Sequence, residues 1–192
     1  VKRPKRPAEA PLLAWGDARF AHGQRRLRHL RLAVLGGAGL VLLAAPPLHA
    51  PAPRLVWNAS ASAPIGLYWV WPGDAPARGD MAVAWAPARW RALTARRHYL
   101  PANVPLVKRV AAAQGDRVCA SGPRILVDGR PVATRLARDP SGRELPLWQG
   151  CRLLARGEYL LLMDAAGSFD GRYFGITGRR DLVGRARLIW RR

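Results

Sequence analysis

The chain has 192 residues, 32 Lys and Arg against 12 Asp and Glu, a formal net charge of +20 and two cysteines. That charge invites a nucleic-acid reading, but the basic residues are spread over the whole chain and form no helix-turn-helix or zinc-ligand pattern, so no nucleic-acid partner is expected. Arginine is used almost wherever positive charge occurs, and only Lys2, Lys5 and Lys108 are lysine. Part of the excess suits contact with anionic lipid.

Residues 1–31 open with Val1-Lys-Arg-Pro-Lys-Arg-Pro7, basic and proline-punctuated, and add Arg19, Arg25, Arg26, Arg28 and Arg31 against Glu9 and Asp17. We expect a basic cytoplasmic tail, disordered at its start. The uncharged run Leu32 to Ala45 is short, but extended through His49 it nears the ~20 residues that a helix needs to cross the hydrocarbon. Residues 32–50 are therefore predicted as one transmembrane helix, with the preceding arginines setting a cytoplasmic N-terminus and an exported C-terminal domain. A cleavable signal peptide ending at Leu48-His-Ala50 is the rival reading. The long basic segment ahead of the run, and the lack of a small residue two positions before such a cut, count against removal.

Residues 54–192 read as a mainly β domain. Strands are predicted at Leu67–Trp71, Met81–Trp85, Pro105–Val110, from Val118, at Glu158–Met163 and at Leu182–Trp190, with a short helix over Trp90–Leu100. Asp128-Gly129 marks the tip of a hairpin within Ile125–Val132. Trp57, Trp69 and Trp71 suit either a membrane interface or plain core packing. Residues 135–150 are polar and turn-rich, as in a loop or small inserted subdomain. Many short strands with few helices imply an antiparallel barrel or sandwich. Cys119 and Cys151 form an even pair in a domain predicted to be exported, so we expect one disulfide closing the ends of an inserted subdomain at 119–151.

Two features carry chemistry. In Asn58-Ala-Ser-Ala-Ser-Ala-Pro-Ile-Gly-Leu-Tyr68 the polar and special residues alternate, which on a strand places Ser60 and Ser62 on one face, roughly 6–7 Å apart. One hydroxyl could attack a carbonyl while the other donates to its oxygen. The second feature is Lys108, the only lysine beyond the tail, set in Pro105-Leu-Val-Lys-Arg-Val110. Lysine, unlike arginine, loses its proton when desolvated. A neutral lysine can take the proton of a serine. Histidine offers little competition: His22, His29 and His49 lie in the tail or apolar run, leaving His98 alone in an arginine-rich stretch.

With these residues, Gly115-Asp116, Gly167-Ser-Phe-Asp-Gly-Arg-Tyr-Phe-Gly175 and Leu182-Val-Gly-Arg-Ala186 in the same order, the chain from about Arg54 onward resembles the type I signal peptidases. The first motif is most similar to their conjugative-transfer branch, the TraF-type pilin-processing peptidases. Departures are Gly171 where serine is frequent, Gln114 where proline is usual, and no methionine after Ser62. The resemblance implies a signal-peptidase-like β domain, with Ser62 as nucleophile and Lys108 as base. Ser168 would hydrogen-bond the amine, and Asp170 would join the catalytic set as support, with Arg172 beside it. A neutral hydroxyl suits the orienting role, because a carboxylate against the amine would raise its pKa.

The expected chemistry is acyl transfer, with the oxyanion held by the Ser62 N–H and the Ser60 hydroxyl; it calls for no metal and no cofactor. The expected substrate is a membrane-tethered pre-protein or pro-pilin with small residues before the cut, lying extended along a strand edge. Water, or an amine that would cyclise the product, resolves the acyl-enzyme. The expected location is the bacterial inner membrane, with the lipid bilayer as a partner and the catalytic domain on the periplasmic side. A general signal peptidase I and a non-enzymatic membrane-anchored assembly factor are the other readings. A self-cleaving repressor would share the chemistry, but it needs a DNA-binding domain where this chain has an apolar run.

Overall fold

The computed structural model describes residues 26–40 and 52–192. Two compact units result, Val1–Pro51 and Ala52–Arg192. In the first, residues 26–40 form helix α1, whose side chains are almost all exposed. The rest of the tail and of the apolar run lies outside the described residues, so the expected 32–50 span is described only to residue 40. Among the described residues no helix is long and apolar enough to cross a membrane.

The second unit is mainly β and antiparallel. Its larger sheet is curled and contains β1 (Leu55–Asn58), β2 (Gly66–Pro72), β3 (Met81–Ala84), β4 (Leu106–Ala112), β9 (Glu158–Leu162), β10 (Thr177–Gly178) and β11 (Leu182–Arg191). The spatial order is β1-β2-β11-β3-β4-β9-β10. A second sheet, built from β5 (Arg117–Ser121), β6 (Arg124–Val127), β7 (Arg130–Thr134) and β8 (Gly150–Leu153), has the order β7-β6-β5-β8. Helices α2 (Ala88–Arg96) and α3 (Gly171–Phe174) complete the described elements.

The strands follow from local pattern. In β2, Tyr68 and Val70 turn inward while Leu67, Trp69 and Trp71 are half-buried, the two-residue period of a one-sided strand. The run Tyr159–Leu162 in β9 is buried throughout, because the strand packs on both faces. One core gathers Val56, Tyr68, Val70, Val83, Val107 and Met163. Another joins the two sheets through Val118, Ile125 and Val127 on one side and Leu160, Leu162 and Ala112 on the other. Asp128 and Gly129 have φ of 51° and 77°, the left-handed pair that a two-residue hairpin requires.

Two expectations need correction. The Ser60 and Ser62 segment is not a strand: β1 stops at Asn58 and β2 starts at Gly66, which are register partners. Between them the Asn58 amide donates to the carbonyls of Ser60, Ala63 and Pro64 at 2.9–3.1 Å, and its Oδ1 accepts from Ser60 N–H at 3.2 Å. Such side-chain bonding competes with a ladder and folds the segment into a turn. The helix expected over Trp90–Leu100 is α2, two residues earlier at its start. It ends at Arg96 because His98 takes φ of 57°, outside the helical range. The expected antiparallel barrel or sandwich takes the form of an open, curled larger sheet with β1 and β10 at its edges.

Candidate active site

Lys108 lies in the middle of β4, paired with Ala82 of β3. Strand alternation turns its neighbour Arg109 to solvent, where it meets the exposed Asp164, while Lys108 itself is 3% exposed. Its Nζ stands 2.8 Å from Ser62 Oγ and 2.8 Å from Ser168 Oγ. Burial pulls the lysine pKa from 10.5 down to about 8; Asp170 pushes it up and Arg172 opposes that. The amine is thus poised to lose its proton just above neutral pH, with one hydroxyl to deprotonate and another to hold its orientation.

Ser62 sits in the turn between β1 and β2, 2.8 Å from Ser60 Oγ. The Ser62 N–H also donates to Ser60 Oγ at 3.3 Å. The two donors expected to hold an oxyanion therefore face one another, and a substrate oxygen arriving there would take the place of that contact. The expected strand geometry does not bring the hydroxyls together; the Asn58-braced turn does. Tyr68 contributes from β2, its hydroxyl donating to Pro64 O at 2.9 Å.

Ser168 and Asp170 follow β9. Asp170 is fully buried and caps α3: Oδ1 accepts from Arg172 N–H at 3.1 Å and Nε at 2.8 Å, and Oδ2 accepts from Met163 N–H at 3.0 Å and Arg172 Nη2 at 3.1 Å. Arg172 reaches on to the carbonyls of Thr134 and Ala166 at 3.3 Å each and to that of Met163. A buried carboxylate with both oxygens occupied and its cation alongside is a brace for the Ser168 loop. Gly171 fits this packing, since a Cβ there would lie 2.8 Å from Leu161 O.

The serines and the lysine open into a groove of about 540 Å³. Besides the catalytic candidates it is lined by Trp57, Tyr99, Leu100, Val104, Leu106 and Phe169. The sequence reading missed Tyr99, Leu100, Val104 and Phe169, and an apolar stretch around Pro101 and Pro105 was its only signal for this wall. The cysteines are where they were expected: Cys119 of β5 and Cys151 of β8 are register partners joined by a disulfide.

A buried lysine held between two serine hydroxyls on a curled antiparallel sheet is the setting of one peptidase class. The chain belongs to that family: the family model described as signal peptidase, peptidase S26, matches residues 27–191. Among its relatives, the plasmid transfer protein TraF of Escherichia coli is 31% identical over 170 residues, covering 82% of this chain and 94% of the relative. The conjugal transfer protein TraF of Agrobacterium fabrum is 33% identical over 166 residues, covering 81% of this chain and 93% of the relative. A solved signal peptidase I of Enterococcus faecalis V583 is 19% identical, covering 58% of this chain and 97% of that one with a TM-score of 0.34.

Proposed function

We propose that this chain is a membrane-anchored serine endopeptidase of a conjugative transfer system, acting through Ser62 and Lys108. The observation that carries the reading is the 2.8 Å approach of a buried, pKa-depressed amine to Ser62 Oγ. Neutral Lys108 takes the Ser62 proton, and Ser62 Oγ bonds to the scissile carbonyl carbon of a precursor lying in the groove. The tetrahedral oxyanion is stabilised by the Ser62 N–H and the Ser60 hydroxyl. The lysine ammonium then returns its proton to the leaving amine, and the acyl-enzyme forms. Water, deprotonated by the same amine, hydrolyses it; an amine of the product itself would close a ring instead.

Ser168 keeps the Lys108 amine pointed at Ser62, and Asp170 with Arg172 fixes the loop that carries Ser168. The relatives named for plasmid and conjugal transfer support a pilin precursor as the substrate. The basic residues around residues 19–31 and the apolar run that follows support an inner-membrane anchor with a periplasmic catalytic unit.

The test is co-expression with the candidate pilin precursor, followed by mass spectrometry. Ser62→Ala and Lys108→Arg are expected to leave a folded protein with no processing and no labelling by a serine-directed acylating probe. Hydrolysis and ring closure are told apart by the mass of one water. Processing that continues in either variant would discard the assignment.

A further inference from the structure

Tyr99 is the one aromatic of the groove wall that is tied to the second half of the domain by ionic groups. Its hydroxyl donates to Asp139 Oδ2 at 2.5 Å. Asp139 is only 7% exposed and otherwise fully engaged: Oδ1 accepts from the Ser141 and Arg143 N–H groups at 2.9 and 2.8 Å, and Oδ2 accepts from Arg143 Nε at 2.7 Å. The Arg143 guanidinium also lies over the Tyr99 ring, 5.5 Å from its centroid, and donates to Arg97 O at 3.3 Å. The ring also packs against Phe169, with centroids 4.8 Å apart and planes tilted by 36°. Phe169 directly follows Ser168, which touches the lysine.

Tyr99 is therefore gripped at its hydroxyl by a charge-assisted hydrogen bond and around its ring by Arg143 and Phe169. It follows His98, a non-glycine residue at φ of 57°, so the chain departs from the helix to bring this ring to the groove. A phenol held this way cannot swing aside for a bulky substrate group without giving up a bond to a buried carboxylate.

We propose that Asp139 is a positioning residue for substrate, holding the Tyr99 ring as a fixed wall of the groove and so limiting the size of the side chain that a precursor presents beside Ser62. This rests on the peptidase reading. Residues 135–150, which carry Asp139 and Arg143 but contribute nothing to the Ser62–Lys108 contact, then set what the groove admits.

The test uses the full chain and two precursors that differ only in alanine or leucine before the cut. The wild type should prefer the alanine precursor. Tyr99→Phe keeps the ring and removes the hydroxyl, with its bond to Asp139 and its long 3.5 Å contact from Arg97 Nη1; it should shrink the alanine-to-leucine ratio of kcat/KM about tenfold, within the range that such pocket changes give. The ratio should shrink because kcat/KM for the leucine precursor rises, a gain that a general loss of stability would not produce. Asp139→Asn should do the same, and the double variant should go no further than the worse single one, since both act through one contact. An unchanged ratio in a folded Tyr99→Phe protein would overturn the proposal while leaving the peptidase reading intact, as would a wild type that cleaves both precursors equally. A wild type that cleaves neither would overturn both.

Discussion

Lys108 shows how far one residue can be read from composition. In a chain that otherwise uses arginine after the tail, a lysine placed mid-strand stands out as a group able to lose its proton, and burial lowers its pKa to about 8. The sign of the pH dependence follows. Below about pH 8 the amine is protonated in folded and unfolded chains alike, so the proposed base is absent and the folded state bears the whole cost of a buried charge. Between about 8 and 10.5 the unfolded chain holds more protons than the folded one, and stability rises with pH by on the order of 3 kcal/mol in total. Acylation of Ser62 by a serine-directed probe should therefore rise as pH passes through about 8. Urea melts of the wild type should gain stability over the same interval upward, and those of Lys108→Met should not. A labelling rate flat from pH 6 to 10 would remove Lys108 as the base. Ser60 and Ser62 were legible as a pair but not in their conformation. Periodicity says nothing of the three carbonyls that the Asn58 amide gathers, and those bonds decide for a turn.

At the scale of elements, the apolar strands β2, β3, β4, β9 and β11 were visible in sequence because each buries a face. Those that were missed, β1, β8 and β10, are short or carry little buried surface, so their pairing comes from neighbours rather than from their own pattern. The turn bearing Ser62 depends on such pairing. Gly66 opens β2 opposite Asn58 on one side and Arg191 on the other, and Arg192 N–H donates to Ile65 O at 3.1 Å. A Cβ at Gly66 would lie 2.1 Å from Trp190 O, a backbone atom that no rotamer change can move. Gly66→Ala should cost about 1–3 kcal/mol, as overpacking does, and should slow probe labelling of Ser62 by pushing β11 off the end of the turn. Denaturant melts and labelling rates measured on the same preparation check both effects. A variant with wild-type values for each would show that the C-terminal strand does not set the turn.

Across the second unit, the larger sheet carries Lys108, and the loops at its strand ends carry the serines, while the second sheet holds the disulfide and the connection between its strands β7 and β8 carries Asp139. Sequence distance hid this division: Tyr99 and Asp139 are 40 residues apart, and no local signal links a residue after a helix to a polar turn beyond a hairpin. The cysteine pair was legible only as a count and a compartment, but its place in the fold has a mechanical consequence. All four residues of β8 are exposed, and the strand lies at an edge of its sheet, so its own apolar contacts add little. Its attachment rests on one ladder to β5, on the Cys119–Cys151 bond and on the ion pair of Arg152 with Glu158. That bond closes a loop across 32 residues of sequence, for which chain entropy gives about 3–4 kcal/mol. Reduction should accordingly lower the denaturant midpoint, but unevenly. Amide hydrogen exchange is expected to quicken first at Gly150–Leu153 and then along β5, while β4 and β9, which place Ala112, Leu160 and Leu162 in the core between the sheets, keep their protection. Exchange that instead quickens by the same factor in both sheets would mean that the unit opens as one cooperative whole, and that the disulfide stabilises the lysine strand as much as the edge it joins.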